Sequence, residues 1–328
     1  MKYVIVGTGI ISGTYVNAIA DIDGSELVGC VSRSGKRLEA WPEISTWTDL
    51  ESVPVDYDAV IIATPNGMHC EGIIAAANSG KHVITEKPLG INREEMDQAI
   101  AACEKAGVTL AVAYQRRTAP DNKAIKRLID QGALGRIFAA DLAAKFYRDQ
   151  AYYDLAPYRG GWAIDGGGPF MQQACHNIDL YVWFFGLPDR VLGMMDTFNH
   201  EIETEDHGAA LLRHPSGMIG TIVASTAAKP GYAARLEVHT SQGSFTMTDD
   251  VITRWDIDGV PNPTDAGFDY KHDGATSVAV GDHSAHREII LDFERAIETG
   301  SKPLVDAHSA RATTELICRI YEAAQNQV

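Results

Sequence analysis

The chain has 328 residues, of which 45% are hydrophobic and 22% charged, the balance expected of a globular protein with about two domains. Lys and Arg number 28 against 44 Asp and Glu, which gives a formal net charge of −16 at pH 7. This charge argues against nucleic acid as a partner, because binding to a phosphate backbone depends on clustered cations.

The first third of the chain alternates short hydrophobic runs with helical patterns. Nearly continuous hydrophobicity predicts buried parallel strands at 3–6, 26–31, 58–63, 82–85 and 108–113. Helical spacing predicts helices at 68–79 and 93–106, the second opening with Asn92 as N-cap and ending at Gly107. Strand and helix in regular alternation favour a doubly wound parallel sheet in residues 1–120.

The pattern changes after about Pro120. A helix at 122–130 and a strand at 137–146 precede a loop rich in Gly and Tyr, which leads into a predicted helix at 169–185. Successive strands without helices between them, at 190–255, indicate a large, mostly antiparallel open sheet in an α+β domain over 121–328. Residues 256–282 are predicted to be a surface loop or an excursion near the active site, and helices are predicted at 284–298 and 308–324.

A glycine-rich turn, Gly7-Thr8-Gly9-Ile10-Ile11-Ser12, follows the first strand and opens a helix. The first glycine permits a tight turn, and the second lets the backbone approach a pyrophosphate at the free N–H groups of the helix. Its place in a βαβ unit predicts a Rossmann dinucleotide site contacted by Gly7, Gly9, Ile10 and Ile11.

The end of the second strand bears on which dinucleotide binds. An NAD site usually has Asp or Glu there, about 20 residues after the glycines, and its carboxylate accepts a hydrogen bond from the ribose 2′-OH. This chain has Ser32-Arg33-Ser34, followed by Lys36 and Arg37. Because these side chains can donate to a 2′-phosphate, we expect NADP, with NAD as the alternative.

The five cysteines are widely spaced and form no C-x-x-C pair, so we expect reduced thiols and neither disulfides nor a zinc site. His283 and His286 have a spacing that suits a metal, but no third ligand accompanies them, and we expect no metal. No hydrophobic stretch reaches the roughly 18 residues of a membrane span, and no secretion signal is predicted. We therefore expect a cytoplasmic protein without a membrane partner.

Three further segments carry a family resemblance. Residues 63–69 read A-T-P-N-G-M-H, residues 80–89 read G-K-H-V-I-T-E-K-P-L, and residues 165–179 run from D-G-G-G-P to H-N-I-D. Together with H286 to F293 and the P-L-V-D at 303–306, they resemble the Gfo/Idh/MocA family of oxidoreductases, named after glucose-fructose oxidoreductase, inositol dehydrogenase and a rhizopine catabolism protein.

The resemblance implies hydride transfer between a nicotinamide and a ring hydroxyl or ketone of a sugar, sugar derivative or cyclic polyol. Lys87 would polarise the substrate oxygen and stabilise an alkoxide, and His176 would be the general acid or base. It also places the following residues beside cofactor: Thr64, Pro65, Asn66, His69, Glu86 and Lys87. Those expected beside substrate are Lys87, Tyr114, Arg116, Arg159, Trp162, Gln172, His176 and Asp179.

One departure concerns Gln172, where many sugar-oxidising relatives have Asp. We expect Gln172, His176 and Asp179 to share one helix face, with acid-base chemistry resting on His176 and Lys87. Tyr152-Tyr153, Arg159 and Gln172-Gln173 are similar to a subgroup that acts on sugar nucleotides and uronates. An anionic sugar held by Arg159 is therefore one hypothesis, and loop packing is its alternative. Asp179 either binds substrate or fixes the helix.

Two other functions stay open at this stage. A regulator could bind dinucleotide without catalysis, although it would not need Lys87 and His176. A hydrolase could use a tightly held cofactor for transient oxidation of its sugar.

An antiparallel sheet with one open face also predicts a homodimer or homotetramer through the C-terminal domain.

Overall fold

The computed structural model describes residues 1–264 and 282–325. The chain divides into two compact units. The first contains Met1–Gln115 and Ala279–Arg311, and the second contains Arg116–Val278 and Ala312–Val328, as far as these are described. The domain boundary predicted at residue 120 lies close to the point where the chain passes from the first unit to the second. The predicted division places 279–311 in the second domain, whereas here they lie in the first unit. The division at residue 120 stays a prediction.

The first unit is built on six parallel strands. They are β1 (Lys2–Val6), β2 (Glu26–Val31), β3 (Thr46–Trp47), β4 (Ala59–Ile62), β5 (His82–Thr85) and β6 (Leu110–Val112), in the order β3-β2-β1-β4-β5-β6. The helices between them are α1 (Ile10–Ala20), α2 (His69–Asn78) and α3 (Arg93–Ala106). This order reverses direction between β1 and β4, the switch point where doubly wound sheets bind ligands.

Local sequence explains α3 well. Asn92 accepts a hydrogen bond from the Glu95 N–H at 2.9 Å, and Gly107 ends the helix with φ of 66°. Helix α7 (Ser284–Thr299) packs against α1, and Ala111 of β6 forms a bridge with Asp306. The first unit therefore needs chain from both sides of the second unit.

The second unit contains a seven-stranded sheet with a single parallel pair, β7 with β10. Its strands are β7 (Ile137–Lys145), β8 (Arg190–Asp196), β9 (His207–Arg213), β10 (Ile219–Ser225), β11 (Arg235–Thr240), β12 (Gly243–Thr248) and β13 (Val251–Ile257), in the order β13-β12-β11-β7-β10-β9-β8. Its helices are α4 (Pro120–Asp130), α5 (Gln150–Asp154) and α6 (Cys175–Phe185), and α8 (Ala307–Gln325) crosses into it at Ala312.

The core of the second unit lies against one face of this sheet. Alternate residues of β7, β9 and β10 are buried, and a Cβ at Gly220 would lie 1.8 Å from the Tyr181 hydroxyl of α6. On the other face Leu192, Met194 and Leu211 are 52%, 73% and 47% exposed. The fold class predicted from sequence is confirmed, including the mostly antiparallel open sheet.

The structure corrects several predicted elements. The predicted helix at 169–185 begins only at Cys175, because Met171 and Gln172 both bond to the Gly168 carbonyl while Ala174 bonds to that of Pro169. Gln172 therefore precedes the helix and does not share its face with His176. Helix α5 and strand β3 were missed, and the predicted loop at 256–282 lies largely outside the described residues.

Candidate active site

The glycine turn after β1 has the shape of a dinucleotide cradle. Gly7 has φ of +115°, and a Cβ there would lie 2.4 Å from the Ala63 carbonyl oxygen, so only glycine fits. A Cβ at Gly9 would meet nothing within 4 Å. The Ser12 hydroxyl donates to the Gly7 carbonyl at 3.1 Å and holds the turn. The start of α1 has no side-chain cap, so its first N–H groups suit a pyrophosphate.

The residues after β2 are solvent-exposed. Arg33 lies 3.6 Å from Glu71 of α2, with side chains 64% and 72% exposed, and its Nη2 is 3.4 Å from the Met68 sulfur. The Ser32 and Ser34 hydroxyls are 3.2 Å apart. A surface ion pair of this kind is weak, so the Arg33 guanidinium can exchange Glu71 for another anion.

His69 joins the loops that follow β4 and β5. Its Nδ1 lies 2.7 Å from the Pro88 carbonyl oxygen and its Nε2 lies 2.8 Å from that of Thr64. The ring is fully buried, which lowers its pKa against the opposing effect of the two carbonyls. Both ring nitrogens therefore lie within hydrogen-bond distance of carbonyl oxygens of the chain itself, and a neutral ring donates to one of the two; contact of His69 with the cofactor stays a prediction.

Lys87 is half-buried and comes two residues after the end of β5, on a loop whose Lys87–Pro88 peptide is cis. Glu86 precedes it with a buried carboxylate that accepts from the Tyr15 hydroxyl at 2.8 Å. Thr64, Pro65 and Asn66 follow β4, the neighbouring parallel strand, so both loops leave the same edge of the sheet. This edge is beside the switch point, where a nicotinamide would bind.

His176 lies in the first turn of α6 in the second unit and is half-buried. The loop before it is held by Glu205, whose carboxylate accepts from Gly168 N at 3.0 Å and from the Tyr321 hydroxyl at 3.0 Å. A Cβ at Gly168 would lie 1.9 Å from the Glu205 carbonyl oxygen, so close packing explains the glycine. Burial raises the pKa of Glu205 to about 7. Sequence reasoning missed Glu205, which no motif marks.

Arg116, Arg117 and Asp179 lie in the second unit, and each has a buried charged partner there. Both guanidinium nitrogens of Arg117 that face Asp179 bond to its carboxylate, at 2.8 and 2.6 Å, and Thr313 donates to the same group at 2.9 Å. Arg116 lies 3.5 Å from Asp250, with 8% and 2% of the side chains exposed. These contacts favour the structural alternative for Asp179, and substrate contact by Arg116 stays a prediction.

Arg159 contacts the ring of Tyr152, a residue of α5, and Trp162 follows in the same loop with partners of its own. The Arg159 guanidinium lies 4.5 Å from the centre of the Tyr152 ring, whose hydroxyl accepts from Gln173 at 3.1 Å. The Trp162 indole donates to the Glu203 carbonyl at 3.2 Å. Gln172 donates to the Asp165 carbonyl at 2.6 Å, and Tyr114 is fully buried.

Among the described residues, no group of three His, Cys, Asp or Glu side chains is arranged to hold a metal, and no helix is long and apolar enough to cross a membrane. His283 pairs with Asp21 at 2.6 Å, while His286 lies near Glu86. The two histidines thus have separate partners, and the expectation of a metal-free protein stays a prediction.

The strand order and the glycine cradle define a dinucleotide-binding protein of the Rossmann class. Comparison with protein families agrees: the model of the "oxidoreductase family, NAD-binding Rossmann fold" matches residues 1–114, and that of the "GFO/IDH/MocA C-terminal domain" matches residues 122–246. The chain belongs to the GFO/IDH/MocA family of oxidoreductases and is an NAD(P)-dependent enzyme. The family, activity class and cofactor class expected from the motifs are confirmed.

Curated relatives and solved structures extend over most of the chain. D-xylose 1-dehydrogenase (NADP(+)) 2 of Haloferax volcanii is 28% identical over 99% of this chain and 98% of its own. The scyllo-inositol 2-dehydrogenase (NADP(+)) IolW of Bacillus subtilis is 26% identical, covering 81% and 72%. The WlbA dehydrogenase of Bordetella pertussis, solved with NADH and UDP-GlcNAcA, superposes with a TM-score of 0.87, is 28% identical and covers 100% and 97%.

Proposed function

We propose that the protein oxidises a ring hydroxyl, or reduces the matching ketone, of a sugar, sugar derivative or cyclic polyol. The main support for this proposal is the position of Lys87. It follows the carboxyl end of β5, at the same end of the parallel sheet as the glycine cradle. The relatives named as xylose and inositol dehydrogenases support the substrate class. When bound, the nicotinamide supplies or accepts the hydride.

Lys87 and His176 divide the remaining chemistry. The Lys87 ammonium donates to the reacting oxygen and stabilises the negative charge that develops on it. The His176 imidazole takes the hydroxyl proton during oxidation and returns it during reduction. A panel of sugar alcohols, lactols and ketones, followed through absorbance of the reduced nicotinamide, tests the proposal. Absence of turnover across neutral and anionic sugars would contradict it.

NADP is the proposed cofactor because Ser32, Arg33 and Ser34 stand where an NAD site has a carboxylate. Arg33 is exposed and held only by a weak surface pair, so it can bind a 2′-phosphate. Arg33→Ala should raise KM for NADP about tenfold or more and leave KM for NAD unchanged. Lys105→Ala, which removes an exposed cation from the last turn of α3, is the control. Equal losses for both cofactors would count against NADP.

An anionic sugar is the narrower substrate proposal. The Arg159 guanidinium, stacked on Tyr152, is suited to hold a carboxylate or phosphate, and the WlbA neighbour was solved with the sugar nucleotide UDP-GlcNAcA. Arg159→Gln should raise KM for a uronate substrate and leave that for its neutral sugar unchanged. Arg148→Gln is the control, because Arg148 faces the same ring at 5.5 Å but is buried.

The two alternatives make different predictions. A hydrolase with a tightly held cofactor would retain that cofactor through purification and turn over without net change in its absorbance. A regulator would bind cofactor but lose nothing when Lys87 or His176 is replaced. The presence of both residues in their motifs favours the dehydrogenase.

We also propose a homodimer or homotetramer in the cytoplasm, joined through the open face of the second unit's sheet. Leu192 and Leu211 pair across β8 and β9 on that face, beside the exposed Met194. Leu211→Glu should reduce the mass measured by light scattering, while Leu155→Glu, at a 63% exposed leucine outside the sheet, should not. Five free cysteines agree with a reducing compartment.

A further inference from the structure

A cluster of three buried side chains in the first unit adjoins Lys87 through Glu86. Tyr15 of α1 donates to Glu86 Oε1 at 2.8 Å, and Nε2 of His286, from α7, lies 3.5 Å from the same oxygen. The Tyr15 and His286 rings meet edge to face, with centroids 5.2 Å apart. Tyr15, Glu86 and His286 are 0%, 7% and 1% exposed. The proposed chemistry uses neither Tyr15 nor His286.

The cluster stabilises a charge inside the core. Burial raises the pKa of Glu86, but the bond and charge of His286, the charge of Lys87 and the Tyr15 hydroxyl outweigh it and lower that pKa below its usual value. The Lys87 backbone N–H also donates to Glu86 Oε2 at 3.2 Å. Glu86 is thus an ionised carboxylate at neutral pH, which a protein interior tolerates only with such partners.

The attraction between Glu86 and Lys87 acts on both residues. The Lys87 charge stabilises the ionised form of Glu86. The Glu86 carboxylate must stabilise the protonated form of Lys87 equally, because the interaction energy is shared by the pair. A protonated Lys87 is what stabilisation of an alkoxide requires. On the other side of Lys87, the Pro88 carbonyl is bonded to His69, so both chain neighbours of Lys87 are fixed by buried groups.

We propose that Glu86 is a positioning residue that keeps Lys87 protonated and in place, and that Tyr15 and His286 hold Glu86 ionised within the core. The charged and titratable groups that face Glu86 are Tyr15 on α1, His69 on α2, His286 on α7 and Lys87 itself. The inference rests on the proposed role of Lys87.

Nuclear magnetic resonance of reductively methylated protein tests the inference without turnover. Carbon-13 formaldehyde converts lysine amines to dimethylamines, whose chemical shifts follow protonation, and Lys87→Arg identifies the Lys87 signal. In Glu86→Gln, which keeps the side-chain shape, the titration midpoint of that signal should move to lower pH by about one unit or more. In Tyr15→Phe, the signal should gain a second inflection at acidic pH, because loss of the Tyr15 hydrogen bond raises the pKa of Glu86 above its wild-type value.

The chain offers a matched control for both variants. Glu294 accepts from the Tyr3 hydroxyl at 2.8 Å, as Glu86 does from Tyr15, but Tyr3 lies near the amino end of β1, away from the strand ends that bear Lys87. Glu294→Gln and Tyr3→Phe should leave the Lys87 titration unchanged. An unchanged midpoint in Glu86→Gln would overturn the inference, as would an equal shift in Glu294→Gln.

Activity adds a second measurement. With a substrate from the panel above, the basic limb of the kcat/KM profile should move to lower pH in Glu86→Gln, and His286→Gln, which keeps a donor, should retain more kcat than His286→Phe. If Glu86→Gln moves the Lys87 titration midpoint but the wild-type protein turns over no sugar, the proposed function is refuted and the positioning role stands.

Discussion

Replacing Asp179 by Asn removes one charge from a pair that is closed to solvent. Arg117 and Asp179 are 1% and 0% exposed and meet through two short hydrogen bonds, with Thr313 as a third partner. Burial raises the pKa of Asp179, while Arg117 and Thr313 oppose that rise. The intact pair therefore contributes little net stability, but loss of one partner leaves the other charge buried without the opposite charge it is bonded to.

The expected cost is about 3–5 kcal/mol in the free energy of unfolding. Thr313→Val, which removes one hydrogen bond to a charged group, should cost about 1.5–3 kcal/mol. The surface pair of Arg311 with Asp97 has a similar two-bond geometry but side chains 25% and 57% exposed, so Asp97→Asn should cost less than about 1 kcal/mol.

Urea denaturation followed by tryptophan fluorescence measures these differences, and Arg117→Met, alone and in the Asp179→Asn background, completes a double-mutant cycle. The Arg117→Met substitution should recover much of the stability lost in Asp179→Asn, since it removes the buried guanidinium whose bonded carboxylate is gone. A stable Asp179→Asn protein with a raised KM for substrate would refute this reasoning and return Asp179 to the substrate site.

Further predictions concern the cofactor turn, the catalytic pair and pH. Gly9→Ala should keep the wild-type Tm but weaken dinucleotide binding in calorimetry, whereas Gly7→Ala should lower Tm as well, because its Cβ would meet the Ala63 carbonyl. Lys87→Met and His176→Ala should each lower kcat by roughly 10²- to 10⁴-fold in steady-state assays while dinucleotide still binds. Burial puts the pKa of Glu205 at about 7, above its usual 4.5, so the folded state binds the extra proton between these values. Stability from this group is present below pH 4.5 and lost as pH rises through about 7. Glu205→Gln should flatten that slope in denaturation measured across this range, and an unchanged slope would contradict it.

Local pattern predicted the first unit closely. The strands β2 and β5 and the helix α3 begin and end where hydrophobic runs and caps indicate, since each is specified by its own residues. The start of the helix that contains His176 was misplaced. The conformation of residues 169–174 depends on the contact between Gly168 and Glu205, which are 37 residues apart. Helical spacing alone cannot report such a contact.

The same contrast between local pattern and tertiary contact holds for the candidate site. Motifs pointed to Lys87, His176 and the glycine turn, whose roles follow from residue type and position. They did not reveal that the ring of His69 lies between the Thr64 and Pro88 carbonyl oxygens, or that Asp179 pairs with Arg117, because folding and not residue type decides which of these groups meet. Residue type identifies a group that can react, and tertiary contact decides whether it is available.

The first unit closes only with chain that is synthesised after residue 282. Six side chains of α7 are buried, among them Ile289, Ile290 and Phe293, and β6 is bridged by Asp306. On the ribosome the dinucleotide-binding sheet therefore keeps hydrophobic surface uncovered until residues 116–278 of the second unit have been synthesised. A fragment ending at residue 120 would keep every cofactor motif and still lack part of its own core.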